Sequence, residues 1–288
     1  MTTVYSGLAT GAVFALVALG FSVVFTTTGI FNFAHPQFIM LGTFFAYVGE
    51  VTLKLPPVAV FALCIACVGA VALVCEKVAI GPLQGTGIHS ELITTVGVAT
   101  VIVGVAEVVW GYQPLTVPFF GGSSSIVTVL GGRTDVDELV LIGVAVVLVL
   151  ATHFWSKKTL FGLASLAIAE NRDAAMLRGV NSRRYSAGVM LFTGFFAGMI
   201  GPLLAPQTYA VTTLGSSIIV GGFVALVIGG FESKIGALVG GLFLGLVQAI
   251  IGRYMGEQYE MLAIFGILLV VLLIRPQGLL GSSRARTV

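Results

Sequence analysis

Successive runs of about 20 apolar residues, parted by short polar connectors, constrain this chain more than any other feature. A helix crossing a bilayer needs about that length, because each residue adds 1.5 Å along the axis. Such runs lie near 4–26, 36–53, 57–77, 88–112, 139–156, 186–207, 216–231, 235–252 and 259–275. In lipid a spanning helix satisfies its own backbone hydrogen bonds. The pattern therefore predicts an all-α, polytopic transmembrane helical bundle, with some helices short or broken. Eight to ten crossings fit the runs, and nine is favoured. The runs at 216–231 and 235–252 are short and Gly-rich, which suits a tight or re-entrant hairpin. Composition agrees: 57% of residues are hydrophobic and 9% are charged, against about 25% charged in a soluble domain. The 38 glycines supply the small residues that let membrane helices approach closely.

Orientation follows from the Lys and Arg residues beside the spans. The connector 157–185 holds Lys157, Lys158, Arg172, Arg178, Arg183 and Arg184, and the tail adds Arg275, Arg284 and Arg286. Both are expected in the cytoplasm. The connector 113–138 sets Arg133 against Asp135, Asp137 and Glu138 and suits the outside. Alternation then places the N-terminus outside and the C-terminus inside a multi-pass protein of the inner (plasma) membrane. Residues 1–288 read as one transmembrane domain with a cytoplasmic connector at 157–185. Met1–Val4 has no basic residue and no small-residue cleavage pattern follows the first run, so that run reads as a retained span. A net charge of +2 with no basic face gives no reason to expect nucleic acid as a partner. Cys64, Cys67 and Cys75 share one apolar run without a second ligand pair and read as small buried hydrophobes.

Several polar residues interrupt the apolar pattern. The segment Gly29-Ile-Phe-Asn-Phe-Ala-His35-Pro36-Gln37 parts two runs. Pro36 lacks a backbone donor and suits the first turn of a new helix, where Asn32 or His35 could cap freed backbone groups. The segment is either a polar loop at the membrane surface or a broken stretch lining a polar cavity at membrane depth. Glu107 sits near the outer end of its span, where it could snorkel or face a solute route. Thr94 and Thr95 could bond back to the preceding turn, and Gln248 could bond to a neighbouring helix. As a set, Asn32, Phe33, His35, Gln37, Thr94, Thr95, Glu107 and Gln248 are the candidates for a solute pathway. Gly11–Phe21 (GAVFALVALGF) and Gly221–Phe231 (GGFVALVIGGF) are similar; internal repeats are common in transporters, and in a chain this rich in Gly, Val and Leu chance accounts for the similarity at least as well.

In the basic connector, residues 162–181 read GLASLAIAENRDAAMLRGVN. Leu163, Leu166, Ala167, Ala174 and Leu177 recur at helical spacing, and Gly179 is a natural C-terminal stop. This predicts one short amphipathic helix, with Glu170 and Asp173 fitting a protein partner better than an anionic leaflet. Catalytic signals are missing. No Gly-rich phosphate loop or HExxH cluster occurs, and His35, His89 and His153 lie far apart in sequence. The chain is not expected to be an enzyme or to bind a cofactor or metal itself.

The run GLATGAVFALVALGFSVVFTTTGIFNFAHPQFIMLGTFFAY resembles the opening of the LivH-type branched-chain amino acid permeases, with Asn32, Phe33, Ala34, His35, Met40, Leu41 and Gly42 at the matching positions. AENRDAAMLRGVN is similar to that family's loop contacting the ATPase, and VIGGFESKIGALVGGLFLGLVQ and RPQGLLG are similar to its late segments. Pro36 stands where the family usually has Gly, Leu166 where Arg is common, and Phe231-Glu232 where Leu-Gly is usual. The resemblance implies a permease subunit of a binding-protein-dependent importer. Its cargo would be branched-chain or other amino acids, urea or short amides. Its expected partners are a related second permease subunit (or a second copy), two cytoplasmic ATPase subunits that hold ATP and Mg, and a periplasmic solute-binding protein. Leu166, Ala169, Glu170, Asn171, Asp173, Ala174, Leu177 and Gly179 would then couple to the ATPase. The rival readings are an ion-coupled secondary transporter, which usually carries midplane carboxylates, a channel, and a membrane enzyme.

Overall fold

The computed structural model describes residues 2–83, 88–119, 126–129 and 132–281. Its helices in chain order are α1 (Thr2–Thr28), α2 (His35–Tyr47), α3 (Pro57–Cys75), α4 (Ile88–Trp110), α5 (Val136–Lys158), α6 (Leu160–Glu170), α7 (Arg172–Leu177), α8 (Ser182–Thr208), α9 (Leu214–Gly229), α10 (Lys234–Tyr254) and α11 (Glu260–Ile274). Wider π-helical turns extend α2 through Val48–Thr52 and α3 through Glu76–Ile80. Among the described residues seven helices are long and apolar enough to cross a membrane. The extended α2 and the 16-residue α9 fall short of the usual 20. The expected run at 235–252 is not short: α10 spans 21 residues. Between α4 and α5 the chain forms two strands, β1 (Ile126–Val129) and β2 (Gly132–Asp135), antiparallel with Ile126 opposite Asp135. The β-branched run IVTV favours strand there, and Thr134 Oγ1 donates to Glu138 Oε2 at 2.7 Å where the chain enters α5.

The chain divides into two compact units. One comprises Met1–Ser22, Ser125–Trp155 and Val220–Val288. Here α1 is buried along most of its length, whereas α11 is almost wholly exposed. Lipid offers apolar contact as good as protein does, so close backbone approach must hold such helices together. Glycines provide it. A side chain at Gly11 would strike Gly241 O and Leu242 Cα, each at 2.8 Å, and one at Gly7 would strike Leu246 Cα at 3.1 Å. Phe14 and Val17 of α1 lie against Gly221 and Gly222 of α9, so the two similar segments noted above pack on each other. The segment after α11 returns to the end of α9. There Leu279 N donates to Ile228 O at 2.7 Å and Leu280 N to Gly229 O at 3.2 Å, which satisfies carbonyls that a helix C-terminus leaves open.

The other unit comprises Val23–Ser124 and Ser156–Ile219, with α8 at its centre against α2 and α3. The contacts are again made by small residues. A side chain at Gly42 would meet Ala197 O at 2.8 Å, and one at Gly198 would meet Ile65 Cα at 2.8 Å. Phe38, Phe44, Met40, Met190, Ile200 and Leu204 fill the space between them and are fully buried. Cys64 is buried and its thiol donates to Gly42 O at 3.7 Å; all three cysteines are unpaired with one another. Phe44 and Phe45 close on Trp110, the former stacked at 4.9 Å.

Candidate functional site

The second unit contains two breaks in helical structure. Gly29 ends α1 with φ +76°, a conformation that suits a residue without Cβ, and its N–H donates to Phe25 O at 2.8 Å. From there to His35 the backbone is irregular. Asn32 organises the turn: its Oδ1 accepts from Ala34 N at 3.0 Å, its Nδ2 donates to Met190 Sδ at 3.4 Å, and its O accepts from His35 N at 3.0 Å. Thr95 Oγ1 donates to Phe31 O at 3.3 Å as well as to Leu92 O at 2.9 Å. Pro36 occupies the first turn of α2.

These contacts fix the depth of the break. Met190 lies eight residues from the start of α8 (Ser182) and eighteen from its end (Thr208), about 12 Å in from the nearer end. Thr95 lies seven residues into α4. Asn32 and His35 are 1% and 0% exposed. The break therefore sits beside the interior of two long apolar helices rather than at their ends, and protein covers it.

The second break follows α8. Tyr209 takes φ +61°, uncommon for a residue with a side chain. Ala210 then pairs with Leu115 through Leu115 N to Ala210 O at 3.0 Å and Ala210 N to Leu115 O at 2.9 Å. Ala210 and Thr212 are buried, and α9 begins at Leu214. The two breaks are joined by Gln37. It is 4% exposed, its carboxamide lies on Gly215 in the first turn of α9, and its Oε1 has no hydrogen-bond partner. Asn32, His35, Gln37 and Thr95 thus fall in one region of one unit, with Phe33 half-buried in the same turn.

The remaining candidates lie elsewhere. Thr94 Oγ1 donates back to Ser90 O at 2.7 Å. Glu107 is half-buried in the last turn of α4, about 18 Å along the helix from Thr95. Gln248 belongs to the other unit, where its Nε2 donates to Glu260 Oε2 at 2.7 Å and ties α10 to α11. Two further residues belong beside these candidates. Glu76 is a buried carboxylate at the end of α3 whose Oε1 accepts from Ser186 Oγ at 2.6 Å. Gly215 lies in the polar run Thr212-Thr213-Leu214-Gly215-Ser216-Ser217, its one signal in the sequence. Among the described residues no group of His, Cys, Asp and Glu side chains could hold a metal ion.

The connector differs from the single helix expected. It breaks at Asn171 (φ −155°, ψ 104°), which ends α6 and caps α7 by accepting from Ala174 N at 2.9 Å. Asn competes for its own backbone in this way, so the apolar period continues across a corner. Gly179, φ +87°, stops α7 as the sequence implies, with Val180 N donating to Ala175 O at 3.1 Å. Leu163, Leu166 and Leu177 are exposed, the last at 89%, as are Glu170 and Ala174, while Ala169 is half-buried. The side chain of Asp173 lies outside the described residues.

Comparison with known proteins adds to this geometry. A family model described as "Branched-chain amino acid transport system / permease component" matches residues 3–273. The high-affinity branched-chain amino acid transport system permease protein BraD of Pseudomonas aeruginosa is 30% identical, over 98% of this chain and 96% of that protein. The permease protein LivH of Escherichia coli is 28% identical, over 99% and 96%. Among solved structures, PsaBC from Streptococcus pneumoniae in complex with Fab aligns with a TM-score of 0.50 at 14% identity, over 96% of this chain and 93% of that one. At that identity the likeness concerns the fold alone. The match bears out the family resemblance read from the sequence, and with it a translocation component rather than an enzyme. The chain belongs to the branched-chain amino acid transport system permease component family.

Proposed function

We propose that this chain is the membrane permease of an ATP-driven importer for branched-chain or closely related amino acids. The observation that carries the reading is the buried break at 29–37, where Asn32, His35 and Gln37 place polar groups beside the interiors of α4 and α8. Such groups are costly at membrane depth and mark solute routes. Family membership supports the cargo class. In this reading the N-terminus is outside and the C-terminus cytoplasmic, a solute-binding protein delivers cargo, and a second permease subunit completes the pathway.

Two ATPase subunits, which hold ATP and Mg, dock on the α6–α7 corner. Its exposed Leu163, Leu166 and Leu177 need a surface to cover them, and Glu170 beside them suits a groove with donors. ATP binding and hydrolysis move this corner and switch the route between outward and inward access. The rival of ion-coupled transport has less support. Glu107 lies at a helix end, and Glu76 is engaged by Ser186.

The experiment is copurification of the tagged chain from its own cells. An ATPase is expected to accompany it at near-equal stoichiometry. A chain that purifies without one, in a detergent that preserves other importers, would refute the reading.

A further inference from the structure

Two helices of the second unit begin inside it rather than at its edge. The first turn of α2 holds Gln37, the first turn of α9 holds Gly215, and the two are in contact. A helix N-terminus carries a partial positive charge and open N–H groups, and broken helices in transporters aim such ends at anionic groups. At α2 those donors are used: Ala34, His35, Gln37 and Phe38 N–H groups all have acceptors within the turn. At α9, Leu214 N donates to Val211 O and Ser217 N to Thr213 O, while the amides of Gly215 and Ser216 have no backbone acceptor among the described residues.

The carboxamide of Gln37 is the second, independent observation. It is 96% buried on its 4% exposure, its Oε1 is unpartnered, and that oxygen is the nearest atom to where a Gly215 side chain would sit. Burying such an acceptor without a donor is unfavourable, so the arrangement suits an oxygen that a ligand's N–H satisfies. Thr213 and Ser216 are exposed on the same turn, while Gly215 between them is buried and faces the carboxamide.

We propose that the first turns of α2 and α9 form a head-group site for a free α-amino acid. Its ammonium group donates to Gln37 Oε1, and its carboxylate accepts from the Gly215 and Ser216 amides. Opposite charges carried on one carbon match an acceptor and a pair of donors lying side by side, whereas urea offers no anion and an amine or a fatty acid offers only half. Gly215 has a defined part: any side chain there displaces the carboxamide. Nothing in this contact reads the solute's side chain, so several amino acids should share it. The inference rests on the amino-acid reading above and refines it.

The test is hydrogen–deuterium exchange of residues 209–219 in the full-length chain in lipid nanodiscs. It is titrated with leucine, 4-methylpentanoate (no ammonium) and 3-methylbutylamine (no carboxylate). Leucine is expected to slow exchange there, and each analogue to need about tenfold or more higher concentration, as loss of one charge-assisted contact implies. Gln37→Met and Gly215→Ala should weaken the leucine effect to a similar degree. The analogue series uses the unaltered chain and so does not depend on either variant folding. Equal protection by all three compounds, no protection by leucine, or an unchanged leucine titration in a folded Gln37→Met chain would each overturn the site. Leucine uptake by the assembled importer without this head-group dependence removes the site and keeps the transport reading; head-group-dependent protection without uptake does the reverse.

Discussion

Asn32 accepts from Ala34 N and donates to Met190 Sδ, so one side chain both shapes the turn before α2 and ties it to α8. Leucine has the same branched side-chain skeleton, with two bulkier methyl groups, but supplies neither bond. Asn32→Leu should therefore lower leucine uptake about tenfold or more, from roughly 1–3 kcal/mol of lost hydrogen bonding and an orphaned amide, while expression and membrane insertion stay near those of the parent. Uptake per molecule at the parental level would show that the turn serves packing only. A different residue-scale test concerns the α2–α8 crossing, where Gly201 lies directly on the Gly42 backbone. Overpacking at such a contact costs about 1–3 kcal/mol or more, so Gly201→Val should lower the Tm of the purified chain by several degrees, and an unchanged Tm would refute the packing described. The polar residues of the break stand out in the sequence because Asn, His, Pro and Gln interrupt apolar runs. Gly215 does not, because what singles it out is a neighbour from 178 positions away.

At the scale of elements, the α6–α7 corner and the return of the C-terminal segment to α9 carry the testable consequences. Glu170→Lys with Asp173→Lys should weaken ATPase association, since a lost charged contact at a desolvated surface costs about 2–5 kcal/mol. Copurified ATPase and leucine-stimulated hydrolysis should fall together while the spans insert normally. Full retention of both would show that coupling lies elsewhere. A chain ending at Gln277 loses the two bonds to Ile228 O and Gly229 O. At about 1 kcal/mol each, their loss should lower Tm measurably. Helix existence was legible throughout, because apolar length alone dictates it. Two local features were not. The corner at Asn171 was hidden because the apolar period runs through it and only a side-chain-to-backbone bond reveals it. The hairpin at 126–135 was hidden because four β-branched or apolar residues are too short a signal beside long helices.

At the scale of the whole molecule, the charge pattern makes a prediction about sidedness. Cysteines placed at exposed Thr128 and Lys157 should label from opposite faces of the membrane, Thr128 outside and Lys157 inside. Labelling from one face would break the nine-crossing scheme. Lys and Arg counts set the expected orientation, while the position of the break at 29–37 beside the interiors of α8 and α4 needed the bonds to Met190 and Phe31. The central claim is ATP-driven amino-acid import, and uptake of radiolabelled leucine into proteoliposomes bearing the assembled importer and its binding protein tests it most directly. With ion gradients collapsed by ionophores, uptake should proceed on addition of ATP and stop without it. Uptake that needs a sodium or proton gradient and ignores ATP would contradict the account.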